Sequence, residues 1–312
     1  MRFVTSLVSI IVSAHIIFKR NEKKDGSNDD LIMNKFINSI YYINKYILGI
    51  EQTIVKDPLL FLKDKVIVTV NHQNYCDWLH IFHYLKHENI YNVKFMCKRN
   101  ALPSNSIVSD FVRRNYILVD RDYAKDIINI KEQIHKLGDK YVLFIFPEGT
   151  FGDDPEYLRF SNDFMKLMNK PTLKYTLSPK YKGLKLLLKN VAYDQIIDMT
   201  ISFKENYPKN FNANIMGTTY SSLLLDQYPQ HSEINIREIS IDINNIKNDL
   251  LDVWVEKDQI MEQYYLKNQI TYANPYKKFA RNIIIIIILY IFIINWKHLM
   301  KFINKINRVN GQ

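Results

Sequence analysis

Cysteine is scarce in this chain. Cys76 and Cys97 are the two it has, too few for a disulfide scaffold or a four-cysteine zinc site. Eight Gly and nine Pro among 312 residues exclude collagen-like and Pro/Gly-rich low-complexity chains. Acid is in deficit: 32 Asp and Glu stand against 42 Lys and Arg, a net charge of +10 and a pI near 9.2. That balance favours anionic partners, whether nucleic acid, acidic lipid or a phosphorylated cofactor. There is no G-x-G-x-x-G and no G-x-x-x-x-G-K-[ST], so dinucleotide-fold and P-loop chemistry have no support. A G-x-S-x-G elbow is also lacking, which removes the signature of a serine hydrolase. About thirty Asn include no Asn-x-Ser/Thr sequon, a point against a lumenal domain. The sequence shows no internal repeat. What is present is a globular composition, 47% hydrophobic and 24% charged, long enough for one large domain or two modest ones.

Hydrophobicity concentrates at the two ends. Residues 3–18, FVTSLVSIIVSAHIIF, are followed at once by Lys19, Arg20, Lys23 and Lys24. A membrane anchor is expected there, with a cleaved signal peptide or a buried helix as alternatives. Residues 283–294, IIIIIILYIFII, are flanked by Lys277, Lys278 and Arg281 on one side and Lys297 and Lys301 on the other. Tyr290 and Trp296 suit interfacial positions, so a second membrane segment is expected. The positive-inside rule then places residues 19 onward in the cytosol.

Between these ends the pattern alternates. Residues 19–30 form a polar linker, and residues 31–50 carry Leu31, Ile32, Phe36, Ile40, Ile43 and Ile47 at roughly helical spacing. Strands are predicted at 66–70, 93–97, 116–119, 141–146, 196–203 and 234–239. Helices are predicted at 124–137, ended by Gly138, and at 246–265. Alternation of this kind predicts an α/β domain with a central sheet.

Two strand ends carry the chemistry. The apolar run Val66–Val70 delivers Asn71 and His72, and Asp77 follows five residues after the histidine. Histidine suits proton transfer near neutral pH, and a carboxylate a short loop away can orient its ring. Alone, His-x-x-x-x-Asp is equally a capped turn beside a surface histidine. The second strand, Tyr141–Phe146, ends in Pro147-Glu148-Gly149-Thr150. Alone, that is equally a plain turn.

Together they resemble the glycerolipid acyltransferase family, which includes the lysophosphatidic acid acyltransferases. Its Asn-His-x-x-x-x-Asp block is similar to Asn71, His72 and Asp77. Its Phe-Pro-Glu-Gly-Thr block is similar to residues 146–150. A second block resembles Lys98 to Arg121, and a fourth resembles Leu177-Ser178-Pro179-Lys180 with Gly183. Trp78, the Asp198-Met199-Thr200 step and WVEKDQIMEQYY at 254–265 narrow the resemblance. They resemble the eukaryotic branch of lysocardiolipin and lysophosphatidylinositol acyltransferases. That branch usually has Arg where this chain has Lys180; lysine keeps the charge but loses the bidentate fork.

The resemblance implies an α/β fold with a central sheet flanked by helices and hydrophobic membrane helices at both ends. Four regions are expected. Residues 1–50 would be anchor, linker and amphipathic helix, and 51–203 the catalytic domain. Residues 204–270 would be a C-terminal extension, and 271–312 a transmembrane segment with a basic tail. The implied reaction moves a fatty acyl group from acyl-CoA to a free glycerol hydroxyl of a lysophospholipid, lysophosphatidic acid or lysophosphatidylinositol. His72 would be the general base, oriented by Asp77. Asn71, Arg121, Glu148, Gly149, Thr150 and Lys180 would bind substrate. Acyl-CoA is a co-substrate; no cofactor, metal or nucleic acid is implied. The expected place is the endoplasmic reticulum membrane, with the catalytic domain facing the cytosol. Other uses of these residues are a Cys76–His72 thioester hydrolase, a metal face on His80, His83 and His87, a nucleic-acid patch on Lys98, Arg99, Arg113 and Arg114, and a non-catalytic membrane scaffold.

Overall fold

A computed structural model describes residues 29–42, 44–45, 49–57, 60, 62–73, 77–99, 112–113, 115–150, 155–204 and 230–268. The core is a seven-stranded sheet. In chain order its strands are β1 (Glu51–Lys56), β2 (Lys65–Val70), β3 (Val93–Lys98), β4 (Ile117–Val119), β5 (Tyr141–Ile145), β6 (Gln195–Phe203) and β7 (His231–Ile239). The spatial order is β1-β7-β6-β2-β5-β3-β4. Every pairing is parallel except β6 with β7, whose register sets Ile201 opposite Ile234. β7 thus inserts between β6 and β1, and the expected C-terminal extension completes the same sheet.

Helices cover both faces. On one side lie α1 (Asp29–Tyr42) and α2 (Asp77–His87). Met33, Ile37, Leu79, Ile81 and Leu85 pack there with Val66, Val68 and Val70 of β2. On the other side lie α3 (Tyr123–Gln133), α4 (Pro155–Leu167), α5 (Tyr181–Asn190) and α6 (Ile246–Lys267). They gather Ile130, Met165, Leu187, Leu250 and Trp254 against Ile67, Leu143 and Ile196. Alternate residues of one strand reach opposite cores, as the pleat requires. With both faces covered, β5 and β6 are buried along their whole length.

The predicted strands are present, with ends shifted by one to three residues. α3 stops at Gln133, and a 3₁₀ turn (Ile134–Lys136) finishes it before Gly138 at φ +72°. α1 packs its apolar stripe onto the body through Ile37 and Ile40. The apolar runs 3–18 and 283–294 lie outside the described residues. Among the described residues, no helix is long and apolar enough to cross a membrane.

Candidate active site

The parallel pairing of β2 with β5 brings Thr69 opposite Ile145. The loops that leave these two strands therefore emerge side by side at the carboxyl edge of the sheet, where α/β folds place reactive groups. Asn71 begins the first loop with no exposure. Its Oδ1 accepts from the Ile201 amide at 2.8 Å and its Nδ2 donates to the Ile201 carbonyl at 2.9 Å. Asn71 is expected to bind substrate, but both ends of its carboxamide are committed to the β6 backbone. Its place is that of a clamp between strands.

His72 follows. Its Nδ1 lies 2.8 Å from Asp77 Oδ2. Asp77 opens α2, where the helix dipole favours a negative charge, and the same oxygen accepts the Gln73 amide at 2.7 Å. The Asp77 side chain is 1% exposed and the His72 side chain 24%, so the carboxylate is enclosed while the ring reaches the surface. The Phe146 ring stands beside the imidazole, with centroids 4.7 Å apart. An ionised Asp77 holds the neutral ring in the tautomer with its proton on Nδ1, which leaves the basic lone pair on Nε2.

Glu148, expected at the substrate, is 1% exposed. Its Oε1 accepts the His72 amide at 3.2 Å and the Trp254 indole N–H at 3.1 Å. Burial pushes the carboxyl up to about 8, against the pull of the Trp254 N–H, the His72 amide, the nearby Leu177 amide and the Lys257 ammonium. In this position Glu148 braces the backbone of the histidine.

Three further expected residues meet beside it. Gly149 sits at φ +71°, in the left-handed region that a side chain disfavours. A Cβ there would lie 3.4 Å from Lys180 Nζ. The Gly149 carbonyl accepts from Arg121 Nη2, and Arg121 is itself left-handed at φ +64°. A non-glycine residue in that conformation carries local strain of about 1 kcal/mol or more, the kind concentrated at functional sites. Burial, then the Arg121 charge, lowers the pKa of Lys180. Two cations are thus held close together at the sheet edge, a geometry suited to a phosphate. Thr150 follows, half-buried.

Cys76 and Arg114 lie outside the described residues. His80 Nδ1 meets Ser232 Oγ at 2.8 Å. His83 packs on the Tyr41 ring at 4.8 Å, and burial first, then His87 and Lys45, lowers its pKa to about 4. Arg99 pairs with Asp120 at 3.0 Å.

Sequence reasoning assigned no role to four buried residues behind the site: Asp198, Trp254, Lys257 and Asp258. Lys257 Nζ lies 2.7 Å from Asp198 Oδ1 and donates to the Met199 carbonyl at 2.7 Å. Arg237 Nε reaches Asp198 Oδ2 at 3.2 Å. A signal existed. Trp254, Lys257, Asp258 and Met261 fall at i, i+3, i+4 and i+7, one helical face carrying two charges inside an apolar stripe.

Residues 49–181 match the family model described as Acyltransferase. The chain is similar to 2-acyl-1-lysophosphatidylinositol acyltransferase of Saccharomyces cerevisiae, at 25% identity over 67% of this chain and 64% of that one. It is also similar to Lysophosphatidylinositol acyltransferase 10 of Caenorhabditis elegans, at 24% identity over 72% of this chain and 59% of that one. The chain therefore spans about six-tenths of the length of these relatives. A solved structure also resembles it, the 1-acyl-sn-glycerophosphate (LPA) acyltransferase PlsC of Thermotoga maritima. That likeness has a TM-score of 0.49 and 13% identity, over 88% of this chain and 95% of that one.

Proposed function

We propose that this protein is a membrane-bound acyl-CoA:lysophospholipid acyltransferase. The observation that carries the proposal is the 2.8 Å contact between His72 Nδ1 and Asp77 Oδ2 at the sheet edge. His72 Nε2 takes the proton of a glycerol hydroxyl as that oxygen attacks the thioester carbonyl. The tetrahedral intermediate collapses, the carbon–sulfur bond breaks, and the proton passes from His72 to the departing CoA thiolate. Asp77 stabilises the transient imidazolium. The acceptor hydroxyl is the nucleophile, so no enzyme nucleophile takes part. Arg121 and Lys180 meet the phosphate of the acceptor or of CoA.

Lysophosphatidylinositol is the first acceptor to test, because the names of two relatives carry it; lysophosphatidic acid is the second. The apolar runs 3–18 and 283–294 support a place at a bilayer, for which we propose the endoplasmic reticulum with the site facing the cytosol.

The test is acyl transfer from labelled acyl-CoA by membranes carrying the full chain, against lysophospholipids of different headgroups. His72→Ala is expected to lower the rate by about a thousandfold. Transfer that survives in the variant, or no transfer to any lysolipid by folded wild type, would remove the proposal.

A further inference from the structure

α6 lies beyond the residues that match the family model, yet two of its side chains are linked, each through one intermediate segment, to the loop that holds His72. The first route starts at Trp254, which is fully buried. Its indole donates to Glu148 Oε1 at 3.1 Å, and that oxygen also accepts the His72 amide at 3.2 Å. The second route starts at Asp258. Its carboxylate accepts the amides of Lys174, Tyr175 and Thr176 at 2.9, 2.8 and 2.9 Å, and the Thr176 hydroxyl at 3.0 Å. The Tyr175 carbonyl then accepts Gln73 Nε2 at 3.0 Å, and the Gln73 amide donates to Asp77 Oδ2 at 2.7 Å.

Trp254 and Asp258 are four residues apart, on one face of the helix. Lys257, also on that side, anchors the helix to β6 through Asp198 and the Met199 carbonyl. Ordinary core packing does not ask for this arrangement. A sealed carboxyl and a sealed ion pair cost desolvation energy that apolar side chains would avoid. What the polar groups add is direction: two consecutive residues, His72 through its amide and Gln73 through its side chain, are each tied to α6 by way of one intermediate segment.

We propose that α6 is a positioning element of the active site, fixing the His72 amide through Trp254–Glu148 and the Gln73 side chain through Asp258–Tyr175, and with them the aim of His72 and Asp77. Its kinetic consequence rests on the acyl-transfer reading above; its structural consequence does not. A base displaced by about 1 Å loses on the order of a hundredfold in rate, so the tether acts on kcat.

The experiment uses the full-length protein in phospholipid nanodiscs. Trp254→Phe keeps a ring and removes the N–H. Leu250→Ala, one turn earlier on the same helix and fully buried, removes packing beside Trp254 and leaves every hydrogen-bonding group of both routes in place. Acyl transfer is followed together with hydrogen exchange of the His72 and Gln73 amides. W254F is expected to lower kcat about tenfold or more, to leave KM for the lysophospholipid within about twofold, and to speed exchange at His72. L250A is expected to lower Tm at least as far with kcat and exchange near wild type. Asp258→Asn keeps the shape of the side chain, loses one acceptor, and is expected to speed exchange at Gln73; it decides the matter if W254F does not fold. The proposal is overturned if the folded tether variants keep wild-type exchange and kcat, or if L250A reproduces their losses. If wild type transfers no acyl group, the reaction is wrong, and the exchange pattern alone still decides whether α6 holds the loop.

Discussion

A carboxyl group sealed from water, with one oxygen accepting two neutral N–H donors, has little reason to ionise near neutral pH. Glu148 is such a group, pushed from 4.5 up to about 8 by burial. Between those two values the folded protein holds a proton that the unfolded chain has released. Its contribution to stability is therefore full below pH 4.5 and is lost as pH rises through about 8. Glu148→Gln keeps an oxygen to accept from Trp254 and the His72 amide but cannot titrate. Thermal unfolding of the two proteins across that window should show wild type losing Tm relative to E148Q as pH rises. Parallel profiles would mean that Glu148 is ionised throughout. Activity adds a second reading at this scale. If Glu148 acts as a neutral acceptor bracing His72, E148Q retains transfer; a Glu148 that needs its charge at the substrate would not.

At the scale of elements, α6 shows why sequence and structure differ in what they disclose. Its amphipathic pattern is legible, and the observed span (Ile246–Lys267) begins where predicted and runs two residues further. Its two charged residues on the buried face look like surface residues until β6 is placed against them, because Asp198 lies about sixty residues away in sequence. The ion pair makes a measurable prediction. Lys257→Met leaves buried Asp198 with Arg237 and Thr69 as partners, so the loss should sit at the low end of broken buried pairs, about 3 kcal/mol. Denaturant unfolding checks it, and a loss below about 1 kcal/mol would show that Arg237 and Thr69 together suffice. The central strands were legible because each is a short run of β-branched or aromatic residues buried on both sides. β1 was not. As an edge strand it buries little, and EQTIVK alternates exposed with half-buried residues. α4 and α5 were not legible for another reason: α4 buries only Ser161 and Met165 and so carries little apolar stripe, and α5 is ten residues long with Gly183 inside it. The His72–Asp77 pair could be anticipated as a strand-end histidine with a carboxylate a short loop away, whereas Arg121, Gly149 and Lys180 were expected at one site only from the resemblance. The inward turn of Asn71 and Glu148 depends on β6 and α6 and was not visible in either motif.

At the scale of the whole molecule, the proposed place at a bilayer requires an attachment. The described residues contain no helix able to cross one, and their apolar side chains are largely spent on the two cores that flank the sheet. Net charge of +10 attracts anionic lipid, but that attraction is screened at physiological salt and is lost in alkaline carbonate. Retention that survives such a wash must therefore come from inserted apolar segments, and 3–18 and 283–294 are the candidates. An aspartate at the middle of a spanning helix costs about 3 kcal/mol of insertion free energy. We expect Ile288→Asp to move part of the full-length protein from the carbonate-resistant pellet to the supernatant. Val8→Asp with Ile288→Asp should release most of it, while His72 and Asp77 remain untouched. If the double variant stays in the pellet, the terminal segments are not the anchors. The face of the catalytic domain would then have to carry the attachment, and the lysolipid would reach His72 from a bilayer that the domain itself grips.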